Sequence, residues 1–324
     1  MKVDDNYAFL RQVESPVTAK QLRPLDPRCD RVQFCTPLTE ADFKKLAAFM
    51  KRYPNVALRF YRLFYRGSFS LEFLRFFPFL KRLAIDDYEL QSFDGIEYAF
   101  PGLRELRISQ TKSKRHSLRF LERFQRLRAL SLEGHVKDIE VLASLSSLKK
   151  LTLRSITLPD LTVLTPLKSL KSLSIELGGT TNLKALPKIR RLECLRLFRI
   201  RGLADVRYLS DLVRLRLLFL QDLTRVSKLP SFKMLLELRR VKLDTLKSLH
   251  DLRPIAMAPA LEELVAVGMP QLDVSSFRPF AGHPTLKRAL IGLGSRRKNK
   301  PVEDLLKLPD AEYLGDVDWT AFAQ

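Results

Sequence analysis

Residues 148–167 read Leu148-Lys-Lys-Leu151-Thr-Leu153-Arg-Ser-Ile156-Thr-Leu158-Pro-Asp160-Leu161-Thr-Val-Leu164-Thr-Pro166-Leu167. The opening has apolar residues at its first, fourth and sixth positions. Alternation at four and six is the period of a short strand with one face buried. The later leucines, Leu161, Leu164 and Leu167, cover the other side of the same interior. One such unit cannot bury its apolar surface alone, so units must stack.

Outward from this stretch the same opening recurs, starting at Leu80, Leu103, Leu127, Leu170, Leu192, Leu215 and Leu238, with weaker copies at Leu261 and Leu286. Successive starts are 21 to 25 residues apart. A degenerate copy, Leu58-Tyr61-Leu63, lies 22 residues before Leu80. A fixed period in this range is the mark of a leucine-rich repeat. The Leu148 stretch resembles the 22-residue repeats of internalins and of leucine-rich protein phosphatase regulators, with Leu158-x-Asp160 on the family's Ile-x-Asp turn and Pro166-Leu167 on its Pro-Leu step. The resemblance covers about residues 56–292. It implies an α/β leucine-rich-repeat solenoid, with a curved parallel sheet on the concave side and 3-10 or short helical turns on the convex side. The family's asparagine, nine residues into each repeat, is absent. Those positions hold Tyr88, Thr111, His135, Ile156, Gly178, Ile200 and Leu223, so the turn backbone must find other partners, in the turns themselves or in water.

Three regions are expected. Residues 1–55 form an N-terminal cap with a helix over about 39–52, opened by Thr39-x-x-Asp42. Residues 56–292 hold ten or eleven repeats, the first made irregular and bulky by the aromatic run from Phe60 to Phe79. Residues 293–324 form a basic loop and an acidic cap. There Gly292 to Pro301 reads as a solvated turn, Val302 to Leu308 as a short helix, and Trp319 with Phe322 as a seal on the last repeat.

Net charge is +21, from 57 Lys and Arg against 36 Asp and Glu. Residues 101–250 hold 32 basic against 13 acidic residues, whereas 301–324 hold one Lys against six acids. A positive field of this kind attracts acidic protein surfaces or nucleic acid. The three cysteines, Cys29, Cys35 and Cys194, point to a reducing compartment without a disulfide framework. With neither a secretory leader nor a long apolar run, a cytoplasmic monomer is expected. The histidines, His116, His135, His250 and His283, are scattered, and the chain carries no phosphate loop, nucleophile elbow or HExxH motif. No catalytic residue, metal or cofactor is therefore expected. Cys194, at an outward strand position between Arg191 and Arg196, is the one thiol with reactive potential.

Positions three, five and seven of each repeat point away from the leucines. On this concave face Phe198, Leu217 and Phe219 form an apolar patch flanked by Arg196, Gln221, Arg240 and Lys242. Aromatics beside arginine are the composition of a protein-binding hot spot. Position two is basic in eight of ten repeats, including Lys81, Arg104, Arg128, Lys149, Lys171, Arg216 and Arg239, which stacking lines up as an edge stripe. The leading expectation is a non-catalytic adaptor, regulator or inhibitor that binds an acidic protein through the concave face. The alternatives are nucleic-acid binding through the stripe and a host-directed effector role.

Overall fold

The computed structural model describes residues 9–62 and 69–312. Expectations about Leu63, Phe64, Tyr65, Trp319 and Phe322 lie outside the described residues. Two compact units divide the chain, Met1–Leu148 and Lys149–Gln324.

In the first unit six parallel strands follow one another in chain order: β1 (Leu10–Gln12), β2 (Arg31–Phe34), β3 (Ala57–Tyr61), β4 (Arg82–Asp86), β5 (Glu105–Ile108) and β6 (Ala129–Glu133). The second unit has seven: β7 (Lys150–Arg154), β8 (Ser172–Glu176), β9 (Cys194–Phe198), β10 (Leu217–Gln221), β11 (Arg240–Asp244), β12 (Glu263–Val267) and β13 (Arg288–Gly292). Registers match repeat to repeat, as in Leu151↔Leu173 and Leu195↔Leu218. Positions four and six of every repeat from Leu80 to Leu286 are buried. Short 3-10 turns such as Thr162–Leu164 and Leu186–Lys188 carry the chain back, and they bury Leu164 and Leu186 on the opposite side of the same core.

The N-terminal region departs from a simple cap. Leu10–Gln12 and Arg31–Phe34 are strands of the sheet, placed before the first repeat that the leucine pattern identifies. The degenerate copy is also in a different register. Leu58 pairs with Leu83 and Phe60 with Ile85, so Leu58 is a fourth-position residue and not a first. Burial decides this, because Leu58 and Phe60 fill the core whereas Tyr61 is only half-buried.

Helix α1 (Glu40–Met50) opens at Thr39, whose hydroxyl accepts from the Asp42 amide at 3.1 Å. It packs Phe43 into a cluster of rings. Phe43 stacks on Phe73 at 5.3 Å, Phe60 stacks on Phe69 at 3.8 Å, and Phe34 meets Phe73 edge-on at 5.3 Å. Phe34, Phe43, Phe60, Phe73 and Phe77 are thus buried in the interior of the first unit, between α1 and the strands.

In the second unit α2 (Arg253–Ala256) and α3 (Val274–Phe277) are single turns. Helix α4 (Arg296–Leu306) begins in the stretch expected to be a loop. Ser295 caps it, accepting from the Lys298 amide, and the basic residues form its first turns. Pro301 lies within the helix.

The missing asparagines are replaced by backbone. At position eight, Ser155, Leu177, Arg199, Asp222 and Thr245 all adopt left-handed φ of 48–58°, and Gly268 follows at 64°. This conformation is costly for residues with a Cβ. At these positions the backbone N–H bonds to the next repeat. Ser155 donates to the Glu176 carbonyl at 2.8 Å, Leu177 to Phe198 at 2.9 Å, Arg199 to Gln221 at 2.9 Å and Asp222 to Asp244 at 2.9 Å. The ladder therefore continues past the strand end without a side chain. Side chains add local links, as where the Leu158 amide donates to the Thr180 hydroxyl at 2.9 Å.

Candidate functional site

The outward face of the second unit is unlike that of a bare sheet. A strand open to solvent on one side alternates buried and accessible residues. β4 and β6 do so in the first unit, and β7 and β13 do so in the second. In β8 and β11 all five residues are buried, and in β9 and β10 four of five.

The apolar centre of this face is Cys194, Leu217 and Phe219, at 1%, 6% and 2% exposure. Leu217 and Phe219 were expected to be open to a partner, and the fold instead covers them. Arg196 and Lys242 flank Phe219 across the register Arg196↔Phe219↔Lys242, at 4% and 8% exposure. The Arg196 guanidinium lies 4.9 Å from the Phe219 ring centre and 5.2 Å from that of Phe198, and the Lys242 ammonium lies 4.3 Å from Phe219. Cations over ring faces are favourable, most of all when shielded from water.

A polar line crosses the same face along position seven. Arg154 donates to Glu176 at 2.8 Å, and Ser174 and Arg196 also donate to Glu176, at 2.7 and 3.3 Å. Arg196 donates to Gln221 at 3.2 Å, and Gln221 donates to Asp244 at 3.2 Å. Arg240 pairs with Glu263 at 2.8 Å and donates to the Glu312 carbonyl at 2.7 Å. The fold thus joins Arg196, Phe198, Leu217, Phe219, Gln221, Arg240 and Lys242 on one face. It adds Arg154, Ser174, Glu176 and Asp244, which the expected patch left out because a side-chain bond within this face, to the same or the neighbouring strand, leaves no mark on local spacing.

Cys194 corrects the reactive-thiol expectation. Burial pushes its pKa up to about 11, and Glu193 adds to the rise against the weaker pull of Arg216, Lys150 and Lys171. The neutral thiol, which is the poor nucleophile, dominates at physiological pH. Cys29, Cys35 and Cys194 are all free.

The position-two residues mark the N-terminal ends of the strands. In the first unit Lys81, Arg104 and Arg128 follow in register, with Arg104 N–H on the Lys81 carbonyl and Arg128 N–H on the Arg104 carbonyl, both at 2.8 Å. In the second unit Lys149 is exposed, but the rest of the row is interrupted by acids. Glu193 takes Lys171 at 2.7 Å and Arg216 at 4.0 Å, and Glu262 takes Arg239 at 2.8 Å and Lys287 at 3.4 Å.

A cleft of about 750 Å³ opens at the carboxyl ends of β8–β10, lined by Gly178, Arg199, Arg201, Asp222 and Arg225 among others. The Arg199–Asp222 pair at 2.9 Å offsets part of its positive charge. Among the described residues no cluster of His, Cys, Asp and Glu could hold a metal ion, and no helix is long and apolar enough to cross a membrane.

No protein-family model matches the chain, and no curated protein matches it. Among solved structures, an internalin (inlF) from Listeria monocytogenes str. 4b F2365 superposes with a TM-score of 0.56 at 17% identity, over 92% of this chain and 90% of that one. An internalin C2 (inlC2) from the same strain gives a TM-score of 0.38 at 19% identity, over 78% and 83%. With in-register parallel strands, 3-10 returns and a shared leucine core, the chain has the leucine-rich-repeat fold that internalins also have.

Proposed function

We propose that this chain is a non-catalytic protein-binding module that recognises an acidic segment of its partner through the outward face of the second unit. The observation that carries this reading is Arg196, held between the rings of Phe198 and Phe219 and beside Lys242 on a flat run of parallel strands. Such a face offers cations in a poorly hydrated setting, where a carboxylate or an aromatic ring gains most. The free thiols fit a reducing cytoplasm. The test is capture from nuclease-treated native lysate with the full chain as bait. Arg154→Gln and Phe198→Ala, both at half-buried positions of this face, should each lose a captured protein that Arg104→Glu with Arg128→Glu retains.

A nucleic-acid reading draws on Lys81, Arg104 and Arg128, which line up in the first unit without an intervening acid. It requires a gel shift that weakens steeply with salt and disappears on reversal of these three residues. Capture lost only in the stripe variants would favour this second reading over the first.

A further inference from the structure

The cleft at the carboxyl ends of β8–β10 shares no residue with the patch around Phe219, and its lining is one-sided in chemistry. Its volume of about 750 Å³ lies in the range of small-ligand sites. The turn after β8 lies between those after β7 and β9, and at Gly178 and Gly179 it brings no side chain to the cleft. Three arginines line the space, Arg199, Arg201 and Arg225, against one carboxylate, that of Asp222. Asp222 is already engaged, since it accepts from Arg199 Nη2 at 2.9 Å and from Arg199 Nε at 3.2 Å. The exposed side chains of Arg201 and Arg225 make no hydrogen bond or ion pair among the described residues. Two hydroxyls join them in the lining. Thr157 Oγ1 accepts from the Gly179 amide at 2.9 Å, which leaves its own hydrogen to donate. The Thr224 hydroxyl is unbonded among the described residues. An isolated surface arginine is satisfied by water. Two unpaired guanidinium groups in one concave site, beside the buried apolar residues Ile200 and Leu203, instead concentrate a positive potential there.

We propose that this cleft binds a phosphate monoester, with Arg201 and Arg225 as its principal ligands and Thr157 and Thr224 as hydroxyl donors. The cleft presents donors almost exclusively, and its one carboxylate is occupied, so its ligand must be an anion rich in acceptors. A phosphate monoester carries about two negative charges at neutral pH and three strong acceptor oxygens. That charge matches the two cations left once Asp222 has taken Arg199. A carboxylate, with one charge and two oxygens, would leave one guanidinium unmatched. The planar guanidinium fork also fits phosphate oxygens in pairs, which an ammonium cannot do. The phosphate can arrive on a small molecule or on a phosphorylated side chain of a protein, and the test below separates these sources. The site stands at the opposite end of the strands from the position-two row, so the two basic features can be altered independently.

The test is calorimetric titration of the full chain at fixed ionic strength with three probes: inorganic phosphate, adenosine monophosphate and a short phosphoserine peptide. Inorganic phosphate should bind with a Kd on the order of 1 mM, the level of a few hydrogen bonds in an open site. Arg201→Ala and Arg225→Ala should each weaken binding about tenfold, the effect of losing one charge-assisted contact. Both side chains are exposed and unpaired, so the melting temperatures of these variants should equal that of the native chain. Arg201→Lys keeps the charge but loses the fork, and it should still weaken binding by about threefold or more. Arg104→Glu with Arg128→Glu, which alters the general positive field, should leave affinity within about twofold. A phosphoserine peptide that binds more tightly than the nucleotide assigns the ligand to a phosphorylated protein, and the reverse order assigns it to a small molecule. Either order supports the site. Absence of binding by all three probes at about 10 mM overturns the proposal. It is also overturned if Arg201→Ala with Arg225→Ala retains the native affinity, or if the Arg104 and Arg128 reversals lose as much binding as the cleft variants.

Discussion

Gly178 sits where successive turns come closest. A Cβ there would overlap the backbone carbonyl oxygen of Ile156, which cannot move without breaking its repeat. Gly178→Ala should cost about 2 kcal/mol or more, in the range of forced overpacking, read as a lower urea midpoint. Gly268 has φ of 64°, and its Cβ would meet the Thr245 hydroxyl at 2.6 Å, so Gly268→Ala should also lower the midpoint. Asp42 carries a pH signature. Its carboxylate accepts from Ser15 Oγ at 2.6 Å, the Val17 amide at 2.8 Å and Thr39 Oγ1 at 2.9 Å. These bonds, that of Ser15 foremost, hold its pKa at about 2, below the ordinary 3.8. A depressed folded value means that its stabilisation is complete above the unfolded value and is lost as pH falls from about 4 towards 2. Asp42→Asn should cost about 2 kcal/mol at pH 7, as for hydrogen bonds to a charged group, and the gap from the native chain should close by pH 2 in urea titrations. His135 has the opposite charge type. Burial lowers its pKa below 6.5, so the unfolded chain takes the proton first and stability declines as pH drops through 6.5. Asn or Gln at 135 should flatten that decline in a series of melting temperatures.

At the scale of strands and helices, Phe219 separates two roles. Because it is buried, Phe219→Ala should destabilise the fold by about 3 kcal/mol, as large-to-small changes in cores do. Lost capture by that variant would not locate a binding site, whereas half-buried Phe198 can be truncated with a smaller penalty. Thermal melts of the two variants, Phe219→Ala well below Phe198→Ala, check this. The strands from Leu80 onward were legible because each contributes two inward leucine-type residues in a fixed frame. β1 and β2 were not, since a three- or four-residue strand with only Val32 and Phe34 inward looks like ordinary loop sequence. For β3, both Leu58-Tyr61-Leu63 and Leu58-Phe60 fit an apolar template, and only pairing with Leu83 and Ile85 chooses. α4 was legible in part. Ser295 is a proper cap, but a run of Arg and Lys hides the helix behind its charge.

Across the whole molecule, repeat position predicted which side chains share a face, and it did so for all seven residues of the expected patch. It did not predict their burial, which depends on what lies above a sheet and so on contacts remote in sequence. The same holds for charge. A net +21 marks the chain as basic, yet in the second unit Glu193 and Glu262 each take two cations of the row, and Glu176 takes both Arg154 and Arg196. Binding to a polyanion should therefore show a log–log salt slope well below that implied by all the row's cations, because paired cations release few counterions. Titration against a generic duplex at several salt concentrations measures that slope.

The left-handed residue at position eight has a consequence for how such a chain can grow or shrink. Since each turn hands its N–H to the following carbonyl irrespective of side chain, a cut from one such residue to the next removes a complete module and leaves matching ends. Excision of residues 156–177 would join Ser155 to Gly178 with no new backbone conformation required, so copy number is free to drift by whole units while the junction chemistry stays constant.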